Sequence, residues 1–262
     1  MSENKIIQSF DRAAKSYDQA SNFQFENGLR LFKQVEAYVF EKNSLCLDLG
    51  CGTGNHLDFF AAKHTQCDWI GVDCALNMLF LAKEKYRYFN VQWVHADAAD
   101  LPFKKNSFSF VFSNFVLQWS ADIERVFKSI FSLLKKNGCF SFSLPVEGTF
   151  CELEASWNKV DNYAHIHSFY QKDFLLASLH QAGFQIVQTH LEKHVFYYQN
   201  FHDFAGSVKW VGANNKNKNR RRTLTGKTAF KKMLLEYESL RCKASGLIPA
   251  TYCVFNVIAK KL

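Results

Sequence analysis

The stretch Leu45-Cys46-Leu47-Asp48-Leu49-Gly50-Cys51-Gly52-Thr53-Gly54 decides the fold. Leucines alternating with Cys46 and Asp48 spell a short buried strand. The Gly-x-Gly-x-Gly that follows predicts a tight turn whose backbone runs close to a ligand. After it, Asn55, His56, Leu57, Phe59 and Phe60 suit the first turns of a helix. Strand, glycine turn and helix make the nucleotide-binding corner of a Rossmann-like sheet.

Acids decide what such a corner holds. Asp73 ends a second apolar segment, Trp69-Ile70-Gly71-Val72, and Asp97 follows a third, Val91-Gln92-Trp93-Val94. With Asp48 they put a carboxylate near the C-terminal end of three successive strands, the edge where open parallel sheets bind ligands. A dinucleotide site would carry Gly-x-Gly-x-x-Gly and a helix N-terminus aimed at a pyrophosphate. Here the third glycine comes one residue early and the rim would repel phosphate. Carboxylates suit ribose hydroxyls, an adenine amine, an ammonium and a sulfonium. The expected ligand is S-adenosylmethionine.

Composition sets the bounds. With 262 residues the chain can bury a substantial core as one α/β domain with additions. No stretch approaches the roughly 20 continuous apolar residues of a membrane span. Met1-Ser2-Glu3-Asn4-Lys5 has no apolar leader pattern, so a cytoplasmic protein is expected. The eight cysteines are scattered with no Cys-x-x-Cys pair, which reads as reduced core thiols and predicts no metal site. Lys plus Arg number 32 against 24 acids, and nine of the basic residues fall between Lys209 and Lys232 with no acid among them. The excess is one local feature, and it calls for a partner.

Outside the glycine corner, Ile7, Phe10, Ala13, Ala14 and Tyr17 share one helical face over 3–17, and Phe25, Leu29, Phe32 and Val35 begin a second over 24–41. Helix Leu76–Lys85 and strand Phe108–Phe112 continue the alternation. Ser120 is the expected cap of the next helix, which Lys135-Lys-Asn-Gly138 should end before a strand at Cys139–Leu144. Helices are expected at 150–163, 171–181, 201–211 and 226–240. His190–Tyr198 and Ala250–Ala259 are strand-patterned and suit a last antiparallel pair.

Asp48-Leu-Gly-Cys-Gly-Thr-Gly54, Asp73, Asp97-Ala-Ala-Asp100-Leu-Pro-Phe103 and Leu134-Lys-Lys-Asn-Gly138 together resemble the successive motifs of class I S-adenosylmethionine-dependent methyltransferases. Four further stretches resemble the malonyl-[acyl-carrier protein] O-methyltransferases of biotin synthesis. They are Phe10-Asp-Arg-Ala-Ala-Lys-Ser-Tyr17, Ser113-Asn-Phe-Val-Leu-Gln-Trp119, Trp157-Asn-Lys-Val-Asp161 and Ser207-Val-Lys-Trp-Val-Gly-Ala213. The resemblance implies a mostly parallel seven-stranded sheet with an antiparallel last strand and helices on both faces. It also implies a division into an N-terminal helical lid (1–42), a cofactor core (43–145) and acceptor-side insertions (146–262). The implied reaction methylates the free carboxylate of a malonyl group on acyl carrier protein, making a primer for pimeloyl and biotin synthesis. The sequence departs from the family pattern in two places: the basic loop after Gly212, and Ala164-His-Ile-His-Ser-Phe169, where an Arg just before the Phe is expected.

The expected cofactor residues are Asp48 (ammonium), Gly50, Cys51, Gly52 and Gly54 (turn), Asp73 (ribose), Cys74 and Met78 (contacts beside ribose and adenine), and Asp97 and Ala98 (adenine amine). Asn114 is assigned to the methyl-bearing end and to the acceptor, Gln118 and Trp119 to the acceptor pocket, and Tyr17 to the lid. A carboxylate acceptor has a pKa of roughly 3–4 and is already nucleophilic at neutral pH, so no general base and no metal are expected. The rate should then be flat above about pH 5. Arg12 and Lys209 are the nominated carboxylate-orienting cations. Lys216, Lys218, Arg220, Arg221 and Arg222 are the expected docking surface for an acidic carrier protein. Three other readings compete: the same fold acting on a quinone or another carboxylate, a nucleic-acid-binding protein using the basic run, and a cofactor-binding relative without transferase activity. The basic run has no interleaved aromatics for base stacking, which disfavours nucleic acid.

Overall fold

The computed structural model describes residues 3–35, 42–210 and 226–262. Among these, seven strands form one sheet in the order β3-β2-β1-β4-β5-β7-β6. The strands are β1 (Leu45–Leu49), β2 (Asp68–Asp73), β3 (Val91–His95), β4 (Phe108–Asn114), β5 (Leu134–Pro145), β6 (Gln185–Tyr198) and β7 (Ile248–Lys260). The first five pair in parallel, and β7 lies antiparallel between β5 and β6. Chain order reverses between β1 and β4, which opens the ligand crevice beside the C-terminal end of β1.

Strand alternation sorts the core into two layers. Leu47, Leu49 and Val111 face the layer built with α5 (Ile123–Leu133) and α7 (Lys172–Gln181). Cys46, Phe110 and Phe112 face the opposite layer, with α2 (Asn22–Val35) and α3 (Leu57–Lys63). Asp48 shares the phase of Cys46, so its carboxylate is carried into the interior. There Phe32 of α2 is fully buried and stacks on Phe60 of α3 at 4.0 Å. Truncating such a ring to alanine costs about 3–5 kcal/mol.

The N-terminal addition therefore plays two parts. α2 is a sheet-covering helix, whereas α1 (Glu3–Ala20) lies along α4 (Leu76–Lys85), with Ala14 buried against Ala75 and Met78. Polar clamps fix α1 there. Asp11 accepts the Asn77 N–H at 2.8 Å, while Asp18 receives Thr53 Oγ1, Asn55 Nδ2 at 2.8 Å and Lys85 Nζ at 3.2 Å.

Both ends of α5 differ from expectation, as do the shorter α6 (Cys151–Asn158) and the longer β6. Asp122, not Ser120, caps α5, because its Oδ1 accepts the Arg125 N–H at 3.0 Å; Ser120 Oγ instead accepts from the Asp122 N–H. The helix stops at Leu133, short of the predicted Gly138. Leu134 already pairs with Phe108, and residues 135–138 bulge out of register before pairing resumes between Phe110 and Cys139. At the far end, α6, α8 (Phe201–Trp210) and α9 (Lys227–Glu238) gather around Trp157, Phe204, Met233 and Tyr237 as a separate apolar cluster. No helix among the described residues is long and apolar enough to cross a membrane.

Candidate active site

The turn after β1 is stitched to β2, since the Gly50 and Cys51 N–H groups both donate to the Val72 carbonyl, at 2.7 and 2.9 Å. Gly50 (φ +73°) and Gly52 (φ +55°) lie in left-handed backbone. A Cβ on Gly50 would meet the Val116 side chain at 2.2 Å; one on Gly52 would meet only Tyr17, at 3.8 Å. The backbone at Gly52 thus faces free space beneath the Tyr17 ring, the cradle a close ligand needs.

Asp73 bounds this cleft. Its Oδ2 accepts the Gly52 N–H at 2.9 Å and its Oδ1 the Ala75 N–H at 2.7 Å, the Cys74 N–H also bonds the carboxylate, and lone-pair capacity remains for a ligand. Burial pushes its pKa up, and the backbone hydrogen bonds oppose that shift. Cys74, Met78 and Ala98 line the same cleft, together with Ile6 and Ala96, which the sequence reading did not single out. Burial and the adjacent Asp73 push the Cys74 thiol up to about 12, so it stays protonated.

Asp48 lies below the turn and not on the cleft wall. It is 2 % exposed, and its Oδ2 has no hydrogen-bond partner. Burial first, then the charge of Asp73, raises its pKa to about 8. Cys51 is buried beside it. Gly54 serves packing: a Cβ there would lie 2.7 Å from Trp93. Asp97 is exposed at the cleft's edge and turns its Oδ1 onto the Ala99 N–H at 2.7 Å. His95 Nε2 donates to the Cys74 carbonyl at 3.0 Å, a support for the cleft wall.

A second cavity, of about 210 Å³ and largely apolar, adjoins the first. Phe10, Tyr17, Phe115 and Trp119 line both, so the two chambers meet at these rings. Burial raises the Tyr17 pKa, with Asp73, Asp18 and Asp48 adding to it, and the phenol remains an O–H donor. Gln118 donates to the Phe115 carbonyl at 2.7 Å, leaving its Oε1 buried without a partner. Trp119 Nε1 is likewise unpartnered. A polar hollow of about 400 Å³ lies alongside and shares Thr149, His165, Ile166, His167 and Phe169 with the apolar cavity.

Two residues expected at the acceptor lie on neither cavity wall, and a third falls outside the described side chains. Asn114 lines neither cavity, because its amide ties α2 to the sheet. Its Oδ1 accepts from Asn27 Nδ2 at 3.0 Å and from Ser143 Oγ at 2.7 Å, and its Nδ2 donates to the Gln24 carbonyl at 2.9 Å. Arg12 is exposed and donates from Nε to the Gln8 carbonyl of its own helix, facing away from the cavity. The backbone of Lys209 lies in α8, but its side chain is outside the described residues, as are Lys216, Lys218, Arg220, Arg221 and Arg222. Sequence reasoning missed His167, Phe150 and Tyr252 as cavity residues. They come from a loop, the start of α6 and β7, and no local spacing joins them.

The open cradle at Gly52, the carboxylate of Asp73, the apolar slot of Met78 and Ala98 and the unpartnered acid of Asp48 together fit an adenosyl donor bearing an ammonium and a sulfonium. The sheet order and this cleft define a class I S-adenosylmethionine-dependent methyltransferase. Residues 46–138 match a methyltransferase domain family. The chain is 30% identical over 258 residues to a malonyl-[acyl-carrier protein] O-methyltransferase of Legionella pneumophila, covering 95% of this chain and 87% of that one. It belongs to that family. It is also 31% identical over 261 residues to the biotin biosynthesis bifunctional protein BioHC of Cellvibrio japonicus, and it spans 50% of that longer protein. Among solved structures, a phosphoethanolamine N-methyltransferase 2 of Haemonchus contortus in complex with S-adenosyl-L-methionine aligns with a TM-score of 0.59 at 19% identity. That alignment covers 96% of this chain and 57% of the other, and it supports the fold alone.

Proposed function

We infer that the protein transfers a methyl group to the free carboxylate of a malonyl thioester carried on acyl carrier protein. The observation that carries this reading is the apolar cavity joined to the cofactor cleft through Tyr17, Phe10, Phe115 and Trp119, with a polar hollow along its wall. The cavity suits a short acyl group, and the hollow suits the amides of the arm that delivers it.

The bound cofactor supplies an electrophilic methyl on a sulfonium; a carboxylate oxygen takes it and the C–S electron pair stays on sulfur, so no proton changes hands. Asp73 would hold the ribose hydroxyls, and Met78 and Ala98 the adenine. Asp48 would place negative charge beneath the ammonium. Tyr17 and Trp119 would close the junction against water and align the acceptor, which is where rate is gained when no acid–base step is needed. The basic residues 216–222 would steer the acidic carrier protein.

The decisive experiment incubates the protein with S-adenosylmethionine and malonyl-acyl carrier protein and weighs the carrier by mass spectrometry. A gain of one methyl on the malonyl group is expected. A carrier left unmodified, beside methylation of a quinone or an unrelated carboxylate, would overturn the reading.

A further inference from the structure

A malonyl carboxylate needs a cation or several donors in the acceptor cavity, yet no Lys, Arg, Asp or Glu lies among the described residues of its wall. Two histidines do. His165 is already committed, with Nε2 on Asp161 Oδ1 at 2.7 Å and its ring stacked on Trp157 at 3.5 Å. His167 is only half committed. Its Nε2 lies 2.9 Å from the Gln118 carbonyl and must donate to it, because a carbonyl oxygen only accepts. In the neutral ring Nδ1 is therefore a bare lone pair, and it is buried with no partner. Beside it, 4.9 Å between ring centroids, stands Trp119 with its unpartnered Nε1–H.

We propose that His167 recognises the acceptor's carboxylate, taking up a proton on Nδ1 as the substrate enters and holding it together with the Trp119 N–H. This rests on the methyl-transfer reading above and deepens it. A bare lone pair would repel a carboxylate; an Nδ1–H on an imidazolium attracts it strongly where water is excluded. The titratable groups around His167 are Tyr17 from α1, Tyr252 from β7, His165 with Asp161 on its own segment, and Glu147 and Glu154 lining the neighbouring hollow. None of these is a Lys or an Arg. Without a ligand, burial lowers the His167 pKa, so its ring is neutral at pH 7 and its proton must arrive with the acid. The methyl ester has no charge to hold it. His167 then returns its proton to solvent, and the product is bound less tightly than the substrate.

The sign follows from linkage. Binding that takes up a proton strengthens as pH falls and weakens as pH rises, by up to about tenfold per unit. Turnover at saturation stays flat, so the dependence appears in KM and not in kcat.

The test uses the full chain saturated with S-adenosylhomocysteine and titrated calorimetrically with malonyl-pantetheine in two buffers of different ionisation enthalpy, with acetyl-pantetheine as the uncharged control. Uptake of about one proton with the malonyl thioester and none with the acetyl thioester is expected. His167→Gln, which keeps an N–H for the Gln118 carbonyl, should abolish the uptake and flatten the pH dependence of KM. Tight malonyl binding by the wild-type protein without proton uptake would overturn the role of His167 and leave the methyl-transfer reading standing. Uptake that persists in His167→Gln would also overturn it. Failure to bind or methylate the malonyl thioester at any pH would remove both.

Discussion

Asp48 shows how one side chain can be fixed by strand phase and then tuned by its surroundings. It alternates with leucines, so β1 carries it inward, and there it is 2 % exposed, with Asp73 nearby. Its pKa of about 8 means that the cofactor-free protein holds it largely neutral at pH 7. A cationic ligand favours the ionised form, so binding below pH 8 releases a proton. Affinity for S-adenosylmethionine should therefore rise from pH 6.5 toward 8, by at most about tenfold per unit, and level off above. Isothermal titration across that range checks it. Asp48→Asn should bind weakly and without the slope, and an unchanged slope in that variant would refute the assignment.

Among the elements, α1 is the one whose role depends most on a few polar contacts. Its apolar face is small, and Asp18 joins it to Thr53, Asn55 and Lys85 at the start of α3 and the end of α4. The ion pair itself is about 40% exposed and contributes little, so the buried Thr53 hydroxyl is the contact that matters. Asp18→Ala should loosen the lid by about 1–2 kcal/mol, read as a five- to thirtyfold weaker hold on the cofactor with the melting temperature nearly unchanged. The opposite pattern, a lower melting temperature with full affinity, would make α1 a packing helix and not a lid. α2 is not expected to behave this way, because Phe32 and Val35 are fully buried in the core.

At the scale of the whole molecule, the charge is concentrated and the remainder is balanced. Removing the nine basic residues between Lys209 and Lys232 leaves 23 against 24 acids. Reversing Arg220, Arg221 and Arg222 to Glu should raise the KM for malonyl-acyl carrier protein by tenfold or more at low salt, since steering acts through encounter. The same variant should treat malonyl-pantetheine as the wild type does. Equal losses with both substrates would show that the run serves the fold or the cavity and not docking.

The sequence by itself determined the sheet's first half and the character of the cofactor. Those depend on local patterns: leucine alternation, glycines where the backbone must turn left-handed, and an acid at each strand end. The mostly parallel seven-stranded sheet with its antiparallel last strand also matched the family resemblance. Periodicity placed nearly every helix and strand, and it erred where a tertiary contact overrode it, as at Leu134, which leaves its helix to pair with Phe108. Only the tertiary structure decided the apolar chamber beside the cofactor cleft. Asn114 sits in a diagnostic run, yet α2 claims its amide; Arg12 lies on α1 but is exposed on its outer side. His167 lies 48 residues beyond Trp119 in sequence and beside it in space. A cavity wall is assembled from the ends of elements far apart in the chain, and no spacing within any one of them records which side chains will meet or which of their atoms will be left without partners.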